Sequence, residues 1–161
     1  MVTHLRSPHR WPSQCLICRG WPAATICRAC IRRFTHAIAR CRTCALPVPA
    51  HTAQCGNCLA HPPPMQRCLA AVDYAWPWSS CIARFKFQQD PGLAAPLAEL
   101  MLRAPGMARV LGSAHLVLSI PSTRVRLAKR GYDPVRLLAR QLHPRRYHTT
   151  LLQRTRDTTP Q

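Results

Sequence analysis

The chain has 161 residues, enough for one small metal-held module and one modest domain but not for two full hydrophobic cores. Its 23 lysines and arginines stand against 5 acidic residues, a formal charge of +18, and such a field attracts polyanions. No apolar run approaches the roughly 20 residues of a membrane-spanning helix, which excludes membrane insertion and leads to the expectation of a soluble, cytoplasmic protein.

Residues 1–14 are polar and contain Pro8 and Pro12. They read as a loose leader without the apolar segment of a secretory signal. The next stretch repeats one spacing four times: Cys15-Leu-Ile-Cys18, Cys27-Arg-Ala-Cys30, Cys41-Arg-Thr-Cys44 and Cys55-Gly-Asn-Cys58. Two residues between cysteines let a tight turn aim both sulfurs at one ion, and two such turns complete a closed tetrahedral site. The eight thiols therefore point to two structural zinc ions. A disulfide framework would need an oxidising compartment, and a thioredoxin-like pair would be a single motif beside a βαβ unit. Iron–sulfur ligation also suits four thiolates.

Between the second and third pairs, Ile31, Phe34 and Ile38 fall at helical spacing, and residues 31–40 are expected to form about two and a half turns. A helix there separates those pairs by roughly 15 Å. Either sequential pairing (first with second, third with fourth) or crossed pairing (first with third, second with fourth) remains open. His61-Pro-Pro-Pro64 is a stiff segment, since each proline biases its predecessor toward extended geometry. A domain boundary is expected near residue 65.

Past it, residues 68–74 read as a short strand, and Pro77 opens a helix through Phe87 with Cys81, Ile82 and Phe85 on one face. Cys68 and Cys81 lie outside the repeated spacing and are read as small buried hydrophobes. Asp90-Pro-Gly92 punctuates the chain. Leu93, Leu97, Leu100 and Met101 then follow helical spacing up to Pro105-Gly106. Residues 116–120 form an apolar run stopped by Pro121 and are expected to be a buried strand. Residues 121–134 read as a cationic loop, carrying Arg124, Arg126, Lys129 and Arg130. Asp133 and Pro134 then start a helix whose stripe is Val135, Leu138, Ala139 and Leu142. A basic loop between a strand and a helix is where α/β domains place ligands; a solvated turn is the plainer reading. A last strand is expected around residues 147–152.

Only Lys86 and Lys129 among the basic residues are lysines, and arginine's planar fork suits phosphates. A base-composition bias would exchange lysine for arginine but would not remove the acidic residues. Nucleic-acid or phosphate contact is the favoured reading of the charge.

Taken in order, the four CxxC turns, the Tyr74 segment, Ile82-Ala-Arg-Phe85-Lys86-Phe87, the strand ending Ile120-Pro121, Arg130-Gly131-Tyr132 and the closing residues from Arg154 resemble the ComF family of competence proteins. The resemblance implies an α/β architecture: a double zinc ribbon over residues 15–60, a proline-rich hinge at 61–66, and a Rossmann-like, phosphoribosyltransferase-type domain from 67 to 161. It also implies single-stranded DNA and other DNA-uptake proteins as partners. Lys86, Arg124, Arg126, Lys129, Arg130, Gly131 and Tyr132 become the nucleic-acid or phosphate candidates. Asp133 and Pro134 stand where the family usually has asparagine and glutamine.

The family's ligand, phosphoribosyl pyrophosphate with magnesium, is held by an acidic pair and a Thr-Thr-Gly-Thr-like loop. Neither Thr149-Thr150 nor Thr158-Thr159 is preceded by two acids or followed by glycine. The expectation is therefore an incomplete domain without that ligand and with no catalytic residue. Such a chain is a truncated or frame-interrupted member, a half-domain completed in trans as a phosphoribosyltransferase, or a non-functional fragment.

Overall fold

The computed structural model describes residues 13–21 and 24–156. The expected leader lies outside them except for Ser13 and Gln14, as do Asp157 and Thr158-Thr159. Two short helices punctuate the cysteine-rich part, α1 (Arg28–Phe34) and α2 (Gly56–Ala60). The helix expected over residues 31–40 is displaced. The Cys27 side chain caps α1 by accepting from the Cys30 N–H, so the helix begins at the cysteine turn itself and ends at Phe34. Beyond it Ile38 is exposed, and Arg40 pairs with Pro47 in an isolated antiparallel bridge.

Residues 68–74 are irregular, with bends at Ala71, Val72 and Tyr74 and not the expected strand. Ala71 and Val72 drop onto the core from the side, and Asp73 turns outward to pair with Arg40 at 2.9 Å. α3 (Trp78–Phe87) follows Pro77 as anticipated, burying Trp78, Cys81 and Phe85 at helical spacing. Its first residue ties it to the cysteine module, because Trp78 Nε1 donates to the Phe34 carbonyl at 2.8 Å. A 3-10 turn (Pro91–Leu93) leads into α4 (Ala94–Leu102), which buries Ala94, Leu97, Ala98 and Leu100. Gly106, at φ 85°, then turns the chain into α5 (Met107–Ser113), a helix that the sequence pattern does not announce.

The next run forms only a two-residue strand, β1 (Val117–Leu118), paired in parallel with β2 (Tyr147–His148) in the register Val117 to Tyr147 and Leu118 to His148. The run is not buried as expected: Leu118 is 40% exposed and Ile120 72%. An apolar strand is interior only where something covers both faces, and among the described residues this sheet has two strands. The second expected strand is likewise cut to two residues. Between β1 and β2 lie α6 (Arg124–Arg130) and α7 (Pro134–Leu142). α6 occupies the expected cationic loop: Thr123 caps its start by accepting from the Arg126 N–H, and Gly131, at φ 75°, closes it. α7 begins as foreseen, with the Asp133 carboxylate accepting from Val135 N and Arg136 N. It packs on α4 through a stripe that includes Ala139 and leaves Val135 exposed.

The expected α/β chain is thus a mixed, helix-rich fold with a small parallel sheet. One apolar cluster runs across the proline segment, joining Cys15, Ile26, Cys30 and Ile31 to Trp78, Phe85, Leu93, Leu97 and Leu100.

Candidate metal centres and basic surface

The eight repeated cysteines gather into two sets, Cys15, Cys18, Cys27 and Cys30, then Cys41, Cys44, Cys55 and Cys58, with the sulfurs of each set within 4.8 Å of one another. Of the two open arrangements, the sequential one is therefore adopted. Each set is built the same way from two different turns. The first half is a knuckle: Cys15 N donates to Gly20 O at 3.0 Å while Arg19 N donates to Cys15 O at 2.9 Å. The second set repeats it, with Cys41 N to Leu46 O and Ala45 N to Cys41 O, both at 2.8 Å. Closing this turn puts Arg19 and Ala45 in the left-handed region, at φ 60° and 64°. The second half is a helix start, Cys27 before α1 and Cys55 before α2.

A tetrahedral ion with metal–sulfur bonds near 2.3 Å sets neighbouring sulfurs about 3.8 Å apart. The separations match: 3.9 Å for Cys15 to Cys30, 3.8 Å for Cys18 to Cys27 and 3.7 Å for Cys44 to Cys55. Disulfide bonds would need about 2.05 Å, and all ten cysteines are free. Backbone donors turn toward the sulfurs, Cys27 N to Cys15 Sγ at 3.3 Å and Gly20 N to Cys18 Sγ at 3.4 Å.

Electrostatics divide each set. Burial pushes the Cys15 thiol up, but the N–H groups of Cys18, Cys27 and Ile17 outweigh it and bring the pKa down to about 6. Cys41 also falls to about 6, led by the N–H groups of Cys44 and Cys55. Cys58 is pushed up to about 12, by burial first and then by its cysteine neighbours, and Cys30 is raised for the same reasons. Four thiols this close cannot all ionise beside one another unless a cation is shared. Each set could hold one zinc ion, which would supply that positive charge and leave no open position for a substrate. Cys81, outside both sets, is buried, and burial raises its pKa. Cys68 is half-buried.

Six of the seven basic-surface candidates divide into two groups. At the end of α3, Gln89 Nε2 reaches the Lys129 carbonyl at 3.4 Å, and the Arg130 guanidinium stacks 5.0 Å from the Phe87 ring centroid. The Tyr132 hydroxyl donates to the Phe85 carbonyl. Lys86 is exposed on the same helix end. Arg130 and Tyr132 thus tie the end of α6 to α3, while Gly131 closes α6, with the Tyr132 pKa raised by burial and then by Asp90. At the other end of α6, Arg124 lines an open groove of about 310 Å³ with Ser122, Thr123, Arg154 and Arg156. Arg126 lies between the groups on α6. Arg154 and Arg156 join the surface although the sequence reading used them only as marks of the family resemblance and not as phosphate candidates; Phe87, likewise part of such a mark, carries no local signal of its stacking role.

Every described carboxylate is engaged internally. Asp73 pairs with Arg40, Asp90 with Arg84 and Glu99 with Arg103 at 2.9, 2.7 and 2.7 Å, and Asp133 caps α7. No helix among the described residues is long and apolar enough to cross a membrane.

No protein-family model and no solved structure matches the chain. DNA utilization protein YhgH of Salmonella typhimurium is 34% identical over 137 residues, covering 81% of this chain and 60% of the relative. The protein of the same name from Escherichia coli O6:H1 is 34% identical over 161 residues, covering 93% and 70%. Competence protein F of Haemophilus influenzae is 29% identical over 138 residues, covering 80% and 58%. The chain spans 60% of the length of the Salmonella typhimurium relative. With two four-cysteine sets in register with its repeated CxxC spacing and relatives of this identity along most of its length, the chain belongs to the ComF family.

Proposed function

We propose that this chain is a zinc-held protein that handles single-stranded DNA in DNA utilisation or uptake, using arginines on α6 and around the groove beside it to hold phosphates. The observation that carries it is the commitment of every described carboxylate to an internal partner on a chain of charge +18. Among the described residues the acids near α6 are Asp90 and Asp133, each already bonded within the fold, so the surface keeps a large positive excess and phosphates are its natural counter-charge. The relatives' names, which speak of DNA utilization and competence, agree with that reading. In it the zinc sites are structural, and Gly131 and Tyr132 position α6 while Lys86, Arg124, Arg126, Lys129 and Arg130 meet the strand.

The test is oligonucleotide binding against salt. Affinity should fall steeply as salt rises. Charge reversal at Arg124, Arg126 and Arg130 should weaken binding and flatten that dependence by roughly 0.7 for each phosphate no longer neutralised. Absence of binding at low salt overturns the reading.

One observation favours a second reading, a phosphoribosyltransferase completed by a second chain. β1, α6, α7 and β2 form a parallel strand–helix–strand unit, and the groove opens just past the end of β1, where α/β sheets hold ligands. Within these 161 residues, however, no acidic pair precedes a Thr-Thr-Gly segment. Phosphoribosyl pyrophosphate with magnesium should raise the thermal midpoint if that site exists here; no shift at millimolar ligand removes the reading for this chain.

A further inference from the structure

Tyr74 and Trp76 are 73% and 64% exposed, and neither the metal sets nor α6 explains them. They lie just before α3, whose own Trp78 is buried, so apolar burial was available two residues away and these two rings were left in water. Trp76 is also held in place. Its ring meets Phe34 edge to face, centroids 5.0 Å apart and planes at 84°, and Phe34 is anchored through its carbonyl to Trp78 Nε1 at 2.8 Å. The Arg33 guanidinium lies 5.5 Å from the Phe34 ring centroid. On α1, Arg28, Arg32 and Arg33 are exposed, and the carboxylate next to Tyr74 in the chain, Asp73, is spent on Arg40.

Wet aromatic faces beside arginines are what a single strand needs: π-faces for bases and cations for phosphates. Protein interfaces also favour Tyr, Trp and Arg, so what selects a nucleic acid here is the charge: three exposed arginines on α1 of a chain of charge +18 call for a phosphate backbone. We propose that Tyr74, Trp76 and the Arg33–Phe34 pair form a base-stacking platform for single-stranded nucleic acid. This rests on the single-strand reading above and adds where bases, as distinct from phosphates, are held. Because every base has a π-face, the platform takes any sequence.

The experiment compares binding of short oligo(dT) and of inorganic polyphosphate, which has charge but no bases, to the full zinc-loaded chain and to Trp76→Ala, Trp76→Phe and Tyr74→Ala. Each alanine variant should weaken oligo(dT) binding about tenfold, with polyphosphate affinity and the salt slope unchanged, while Trp76→Phe keeps most of the affinity. Trp76→Ala removes a packing partner of Phe34; Tyr74→Ala, at a more exposed ring, keeps the test independent of folding. Oligo(dT) affinity unchanged in both alanine variants, or a parallel fall in polyphosphate binding, overturns the platform alone. If the unaltered chain binds neither probe, the single-strand reading falls and the platform with it.

Discussion

The two four-cysteine sets share a knuckle, a helix start and a sulfur geometry, yet they sit in different surroundings. Cys15 and Cys30 belong to the same apolar cluster as Trp78, Phe85 and Leu97. Cys41 and Cys58 are buried too, but they lie outside that cluster, and Cys58 borders an open groove of about 410 Å³ with Arg42, Gln54 and Met65. A shared local design can therefore carry unequal weight. The first set is part of the core on which α3 and α4 pack, whereas the second organises its own loops.

That contrast orders the consequences of breaking the molecule. The largest effect belongs to replacing Cys15 and Cys30 together by serine. A structural zinc site is worth on the order of 10–16 kcal/mol, comparable to the whole stability of a domain, so the near-ultraviolet signal of buried Trp78 should vanish. The same replacement at Cys41 and Cys58 should remove one ion yet leave the Trp78 signal, with the core's unfolding free energy changed by less than about 1 kcal/mol, because the two sites share no partners in the core. Equal damage from both pairs would erase the distinction.

Next comes Phe85→Ala. It should cost about 3–5 kcal/mol, and by loosening the cluster it should lower the metal affinity of the first set and not of the second, as read by competition with a chelator. The smallest effect concerns what the sets have in common. Arg19 and Ala45 sit at φ 60° and 64°, where side chains are strained. Changing either to glycine should be neutral to mildly stabilising, by no more than about 1 kcal/mol. A loss above that in thermal unfolding would show that the knuckles are not equivalent.

The metal sets were legible because the CxxC signal is local: two intervening residues decide where the sulfurs point. Their pairing was not, since it depends on the Cys15 and Cys27 turns meeting through a Cys27 N to Cys15 Sγ bond at 3.3 Å, which no spacing encodes. α6 carried readable marks, Thr123 as cap and Gly131 as stop, but its charge drew the reading toward a loop even though arginine, leucine, alanine and lysine all favour helix. The strand at Val117 failed differently. Its apolar composition is real, but burial depends on what lies over a strand, and here Ile120 is left 72% exposed. Tyr74 and Trp76 have the same character, apolar residues whose exposure only the surrounding fold reveals.

The central claim, two separate four-thiolate zinc sites with the first built into the core, is tested most directly by metal content together with sulfur-shell X-ray absorption on the reduced chain. The account predicts two zinc ions per chain, each with four sulfurs at about 2.3 Å. One ion per chain, a shell containing nitrogen, or sulfur–sulfur bonds near 2.05 Å would contradict it.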